Sequence, residues 1–204
     1  HALPELELAR DQAIGADRES LREMPGVGVE EDERDVAGRN VVARIGAGGQ
    51  GIVVSTPMTG WYSCVCERGP GIANFLALAR TVANEKLAGS FTFVATAGHE
   101  IGHGGMEIFL KHGAPPPQDT LAWLHFGASN ACYAFTEGPQ GFVRTDRTDE
   151  ARFLVLSPST LPLADETLSA FQAQRLVADK QAVGELRDVK AAGYRNFFGI
   201  TGLN

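Results

Sequence analysis

The apolar positions of this chain recur at two periods, and the boundaries between them divide it into short extended runs and longer helical ones. Residues 39–46 ("RNVVARIG"), 51–57 ("GIVVSTP") and 90–98 ("SFTFVATAG") are rich in β-branched or aromatic residues and bounded by turn material such as "DVAG" and "AGGQG". Each predicts a strand. Between the second and third, "GIANFLALARTVANEKLAG" sets Ile72, Phe75, Leu76, Ala79 and Val82 at spacings of three and four, which predicts a helix with one apolar face and a glycine stop. Met106, Phe109 and Leu110 open another helix that ends before "GAPPPQD". "TLAWLHFGAS" and "RFLVLSP" predict buried strands, residues 164–193 a mostly helical stretch, and "RNFFGIT" a closing strand. Nearer the start, residues 3–9 and 27–34 alternate like strands around a helix-compatible segment over 11–24.

Strand alternating with helix implies an α/β fold: a three-layer sandwich with a mixed, mostly parallel sheet whose parallel strands are covered on both faces. No internal repeat or low-complexity tract interrupts it, and 204 residues suffice for one sizeable core, so a single domain over 1–204 is expected. The opening at His1, directly before the strand-like "LPELELA", suggests a fragment of something longer or a tag remnant.

Composition narrows the partners. With 44% hydrophobic and 21% charged residues the chain reads as an ordinary globular domain, and a net charge of -7 with no massed Lys or Arg argues against nucleic acid and anionic membranes. No apolar run has the length of a membrane span. Three cysteines, Cys64, Cys66 and Cys132, make no disulfide framework, and the preference is a reducing compartment, the cytoplasm. Oligomeric state is left open.

The chemistry gathers around "ATAGHEIGHGG". A zincin carries His-Glu-x-x-His on a helix, so that both imidazoles meet one zinc and the glutamate activates water. That would need helix through 99–103. The preceding residues read as strand, however, and Gly98, Gly102, Gly104 and Gly105 each cost a helix interior roughly 1 kcal/mol. The expected alternative is a rim loop after a strand.

"NVVARIG", "GIVVSTPMTGWYSC", "ERGPGIANFLALAR" and "FTFVATAGHEIGHGGMEIFL", in that order and spacing, resemble metallopeptidase family twenty-eight, the dizinc aminopeptidases and their glutaminyl cyclase relatives. The resemblance covers roughly residues 39 to 112 and implies a phosphorylase/hydrolase-like fold of the zinc-exopeptidase type. It also implies that residues 1–10 are the exit strand of an inserted domain. Carried over by position, the family's first zinc-binding histidine falls on Pro57 and the aspartate that orients it on Thr59, neither of which can fill the role. The bridging aspartate falls on Glu67. The adjacent base and ligand glutamates fall on His99 and Glu100, with Gly102 and Gly105 matching the glycines that follow. The next aspartate ligand falls on Gly127 or, with a shifted register, His125, and the final histidine near or beyond Asn204.

Two zinc ions need about five protein ligands, and the resemblance leaves Glu67 and Glu100 as metal candidates. No cofactor is expected, and the ligand count admits at most a single zinc. The loops at the sheet edge still collect Trp61, Tyr62, Cys66, Glu67, Arg68, His99, Glu100, His103 and His125. Three readings follow. One is a metal-free relative that binds a small molecule or peptide end through Trp61, Cys66, Glu67, Arg68, His103 and His125. Another is an altered amide hydrolase with His99 as base beside Glu100, and a third is thiol chemistry at Cys66.

Overall fold

The structure is a computed structural model and describes residues 38–60, 65–129, 133–146, 152–171, 175–178 and 182–202. The expected elements before residue 38, the exit strand at 1–10, and Trp61, Tyr62, Cys64 and Cys132 lie outside the described residues.

Strands form where short β-branched runs were expected: β1 Val41–Ile45, β2 Gly51–Pro57, β3 Ser90–Thr96, β4 Thr120–Phe126, β7 Arg152–Leu156 and β9 Phe197–Gly202. Helix α1 runs Val65–Glu85 and α2 Gly104–His112. Helix α1 thus begins six residues ahead of the periodic tract and runs through Gly69, Pro70 and Gly71. Pro70, inside the helix, has no N–H to contribute to its hydrogen bonds.

Two stretches depart from the pattern. Around "EGPQG", where the sequence pattern gave no strand, the chain forms an exposed antiparallel hairpin, β5 Phe135–Gly138 with β6 Gly141–Arg144. The tract 164–193 is not one helical stretch: α3 Ala164–Phe171 and α4 Glu185–Ala191 flank a strand, β8 Arg175–Ala178, parallel to β7. Four residues fit either period, so periodicity alone cannot separate so short a strand from the helices around it.

The main sheet has seven strands in the order β1-β3-β2-β4-β9-β7-β8. Strands β3, β2, β4 and β9 run parallel, β1 is antiparallel to β3, and β7 is antiparallel to β9. Alternate side chains feed two layers. On one face Val53, Val94, Trp123, Val155 and Phe197 pack with Met106 and Phe109 of α2 and Leu186 and Val189 of α4. On the other, Val54, Phe91 and Phe93 pack with Phe75 and Val82 of α1, while Leu154, Leu156 and Ile200 pack with Ala164 and Leu168 around α3. Phe126 touches both groups and makes this face continuous. The result is the expected three-layer α/β sandwich with a mixed, mostly parallel sheet. No helix among the described residues is long and apolar enough to cross a membrane.

Candidate functional site

The carboxyl ends of β2, β3, β4 and β9 lie along one edge of the sheet, and the chain leaving β2 and β3 builds the site there. After β3 the backbone does not enter an α-helix. Gly98 (φ 68°) and Gly102 (φ 81°) are both left-handed and bracket a single 3-10 turn, His99–Ile101. Such backbone angles suit glycine and interrupt helix. The helix a zincin requires over 99–103 is therefore not formed, and α2 starts only at Gly104. His103 itself is left-handed, at φ 61°, which costs a residue with a Cβ roughly 1–2 kcal/mol.

Asn40, just ahead of β1, holds this loop from below. Its side chain accepts from the Ala97 N–H (3.0 Å) and donates to the Gly105 carbonyl (2.7 Å), while the Gly105 N–H returns to the Ala97 carbonyl (3.0 Å). A Cβ on Gly105 would lie 2.5 Å from Asn40 Oδ1 and 2.8 Å from the Ala97 nitrogen.

The two candidate metal carboxylates meet a cation of the chain itself. Arg68, in the first turns of α1 and buried, places Nη2 2.7 Å from Glu67 Oε1 and 2.5 Å from Glu100 Oε1. Its Nε donates to the Thr59 carbonyl at 2.6 Å, and the Thr59 hydroxyl donates to Glu100 Oε2 at 2.9 Å. Thr59 therefore serves Glu100 rather than an imidazole. Burial works to raise the Glu100 pKa, but the bonds from Arg68, from its own backbone and from Thr59 prevail and hold it below the usual carboxylate range. A divalent ion between Glu67 and Glu100 would have to share their charge with the guanidinium. Among the described residues, no three His, Cys, Asp or Glu side chains converge in a way that could hold a metal ion. The described residues do not fit a dizinc centre.

Beside this triad, three imidazoles face two acids of α4. The His99 and His103 rings have centroids 4.8 Å apart. His99 Nδ1 is 3.5 Å from Glu185 Oε1, and His103 Nδ1 is 2.9 Å from Asp188 Oδ2. The hydrogen bond to Asp188 is the main reason the His103 pKa is raised, against a smaller opposing effect of burial. His125, on β4, is buried and sits with Nδ1 2.9 Å from Ser55 Oγ. Ser55 Oγ also accepts from the Trp123 indole (2.8 Å) and lies 3.5 Å from the Leu124 carbonyl, so the hydroxyl ties β2 to β4 through three partners. Burial lowers the His125 pKa and favours the neutral ring.

Glu185 is 1% exposed. Thr96 Oγ1 donates to its Oε1 at 2.7 Å. Its burial would raise the pKa, yet the bonds from His99 and Thr96 help to outweigh it and keep the carboxyl below its ordinary value. Oε2 lies 3.6 Å from His125 Nδ1, beyond hydrogen-bond reach.

These groups floor one cavity of about 310 Å³, within the size range of small-molecule sites. Arg68, His99, His125 and Glu185 supply its polar lining, and Phe153, Val155, Leu186 and Ile200 supply apolar wall. Two atoms of these residues, Arg68 Nη1 and Glu185 Oε2, are sealed from solvent and lack a hydrogen-bond partner among the described residues. An unmet buried polar group costs about 1–3 kcal/mol, more when charged.

Of the expected residues, then, Glu67, Arg68 and Glu100 form one cluster, and His99 and His125 meet at the cavity. His103 packs against His99 but is outside the cavity lining, bonded to Asp188 instead. Cys66 is exposed, outside any disulfide and outside the lining, which leaves thiol chemistry in the cavity without geometric support. Glu185, Asp188, Ser55, Thr96 and Trp123 were not anticipated. The signal for Glu185 was Gly184, which interrupts "AVGELRD" immediately ahead of the acid and has φ 52°.

No known protein-family profile and no curated sequence matches the chain. Solved structures do. A glutaminyl cyclase from Porphyromonas gingivalis superposes with a TM-score of 0.63 at 13% identity, over 98% of this chain and 68% of its own. A Zn-dependent exopeptidase from Parabacteroides distasonis gives 0.62 at 9% identity, over 98% and 70%. A zinc aminopeptidase from Bacillus subtilis gives 0.61 at 10% identity, over 82% of this chain and 40% of its own. The chain thus spans about two fifths of the Bacillus enzyme and about two thirds of the glutaminyl cyclase. At such identities the likeness shows the fold: this is a zinc-exopeptidase-like α/β sandwich.

Proposed function

We propose that this chain is a peptidase-fold protein with a degenerate metal site, in which Arg68 stands between the two carboxylates that the resemblance assigns to zinc, and that the cavity binds a small molecule or peptide end without metal. The observation that carries this reading is the guanidinium itself, within 2.7 Å of Glu67 and 2.5 Å of Glu100. A cation at that point supplies the charge neutralisation a metal would supply, but with fixed N–H donors and no exchangeable coordination position. The test is thermal unfolding of protein purified without chelator. Added zinc is expected to leave Tm unchanged, whereas some member of a small-molecule and peptide panel is expected to raise it. A zinc-dependent rise in Tm would overturn the metal-free reading.

Retained hydrolysis is the second reading, supported by His99. Its Nδ1 faces a buried carboxylate, the arrangement that orients an imidazole for accepting a proton at Nε2. In that case His99 takes a proton from water while Arg68 stabilises the charge developing on an amide oxygen. Amide-bond cleavage lost on His99→Ala, with the fold intact by circular dichroism, would support it; no detectable cleavage by the unmodified protein would remove it.

A further inference from the structure

Strands β5 and β6 form a sheet of their own, and every residue from Phe135 to Arg144 except Gly138 is exposed. A two-stranded ribbon with neither face covered is marginal in water, and exposed aromatics on it gain by association. The register sets Phe135 opposite Arg144 and Glu137 opposite Phe142. Cross-strand partners and next-but-one neighbours point the same way, so these four side chains occupy the corners of one face. The two phenylalanines, 56% and 81% exposed, lie on one diagonal, and the acid and the guanidinium lie on the other. Arg144 is steadied there by the Tyr133 ring, whose centroid is 4.5 Å from its Cζ. The reverse face, with Thr136, Val143 and two glycines, has no such pattern.

The four corners are their own complement. When a second copy is turned about a two-fold axis lying along the apolar diagonal, each phenylalanine meets its own counterpart, and Glu137 of each copy meets Arg144 of the other. The other two-folds in that plane fail. Along or across the strands every ring meets a charge and a carboxylate is set against a phenyl face, which is itself negative. Along the polar diagonal, like charges meet. In the matching arrangement the strands of the two hairpins cross steeply, as in orthogonal sheet packing.

We propose that this hairpin face is the contact of a symmetric dimer of the chain, with Phe135 and Phe142 at its centre and two Glu137–Arg144 ion pairs at its rim. The inference is independent of what the cavity binds. Eight strand residues per copy make a contact smaller than the standard one of about 800 Å² per partner, so the dimer is a weak one, with a Kd of roughly 10–100 µM.

Sedimentation velocity of the full chain over about 5–500 µM tests it, with a monomer–dimer equilibrium as the expected result. Phe142→Ser is expected to raise the Kd about tenfold or more. Glu137→Arg and Arg144→Glu each place two like-charge pairs in the contact and are each expected to weaken it by about fivefold or more, whereas an equimolar mixture of the two variants restores both pairs and returns to within about threefold of the unmodified protein. Rescue by mixing requires contact between two chains, so a fault in folding cannot imitate it. A monomer at every concentration, a dimer indifferent to Phe142→Ser, or a mixture that associates no more strongly than either variant alone each overturns the proposal.

Discussion

Arg68 makes the strongest claim at the level of single residues, because one guanidinium nitrogen faces two carboxylates at once. Removing it leaves Glu67 and Glu100 close together and largely shielded from water without a counter-ion, and breaking such pairs costs about 3–5 kcal/mol. Arg68→Ala should lower the unfolding free energy in urea by that order, whereas Arg68→Lys, which keeps the charge but not the fork, should lose less. His103 gives a pH signature with a definite sign. Its folded pKa is raised by Asp188, so the pair's contribution is fully present below the ordinary histidine value near 6.5 and disappears as pH rises through the raised value. The Tm difference between the protein and Asp188→Asn should therefore be largest at mildly acidic pH and shrink towards alkaline pH; a difference flat across that range would refute it. Glu100 works the other way: its pairing stabilises above the ordinary carboxylate value and is lost as pH falls through the depressed one. His99, Glu100 and Glu67 stood out in sequence because a family pattern put chemistry at those positions, and Arg68 because it follows Glu67 in a loop at the sheet edge. Glu185 did not, since an acid in an amphipathic tract looks like a solvated residue, and its 1% exposure arises only when α4 docks on the sheet.

Among the elements, the loop from Ala97 to Gly105 shows why a string that resembles a helical zinc motif folds otherwise. Two left-handed glycines set a 3-10 turn, and Asn40 clamps both ends of the excursion. Gly105→Ala would force a methyl onto the Asn40 side chain and the Ala97 backbone, and overpacking of this kind costs roughly 1–3 kcal/mol. A drop of that size in urea unfolding is expected, together with disturbed His99 and His103 resonances by NMR. Strands bounded by glycine and filled with β-branched residues were legible in sequence, as were the cores of α1 and α2. The pieces that escaped were β8, too short to show a period, and the β5–β6 hairpin, whose Phe135, Phe142 and Val143 are exposed and so lack the alternation that marks a half-buried strand.

For the whole molecule, the decisive feature is strand order. Strand β9 follows every other described strand in sequence yet lies between β4 and β7. It places Gly199 beside His125 and Ile200 against Phe126, and it carries part of the cavity wall. A chain ended at Asn196 should accordingly fail to give protease-resistant protein, rather than give a slightly trimmed fold. During synthesis, β1 to β4 on one side and β7 with β8 on the other must wait as two separate half-built surfaces until the joining segment leaves the ribosome. A nascent chain short of that point lacks part of the cavity wall, and its open sheet edges make it a natural client for a holding chaperone.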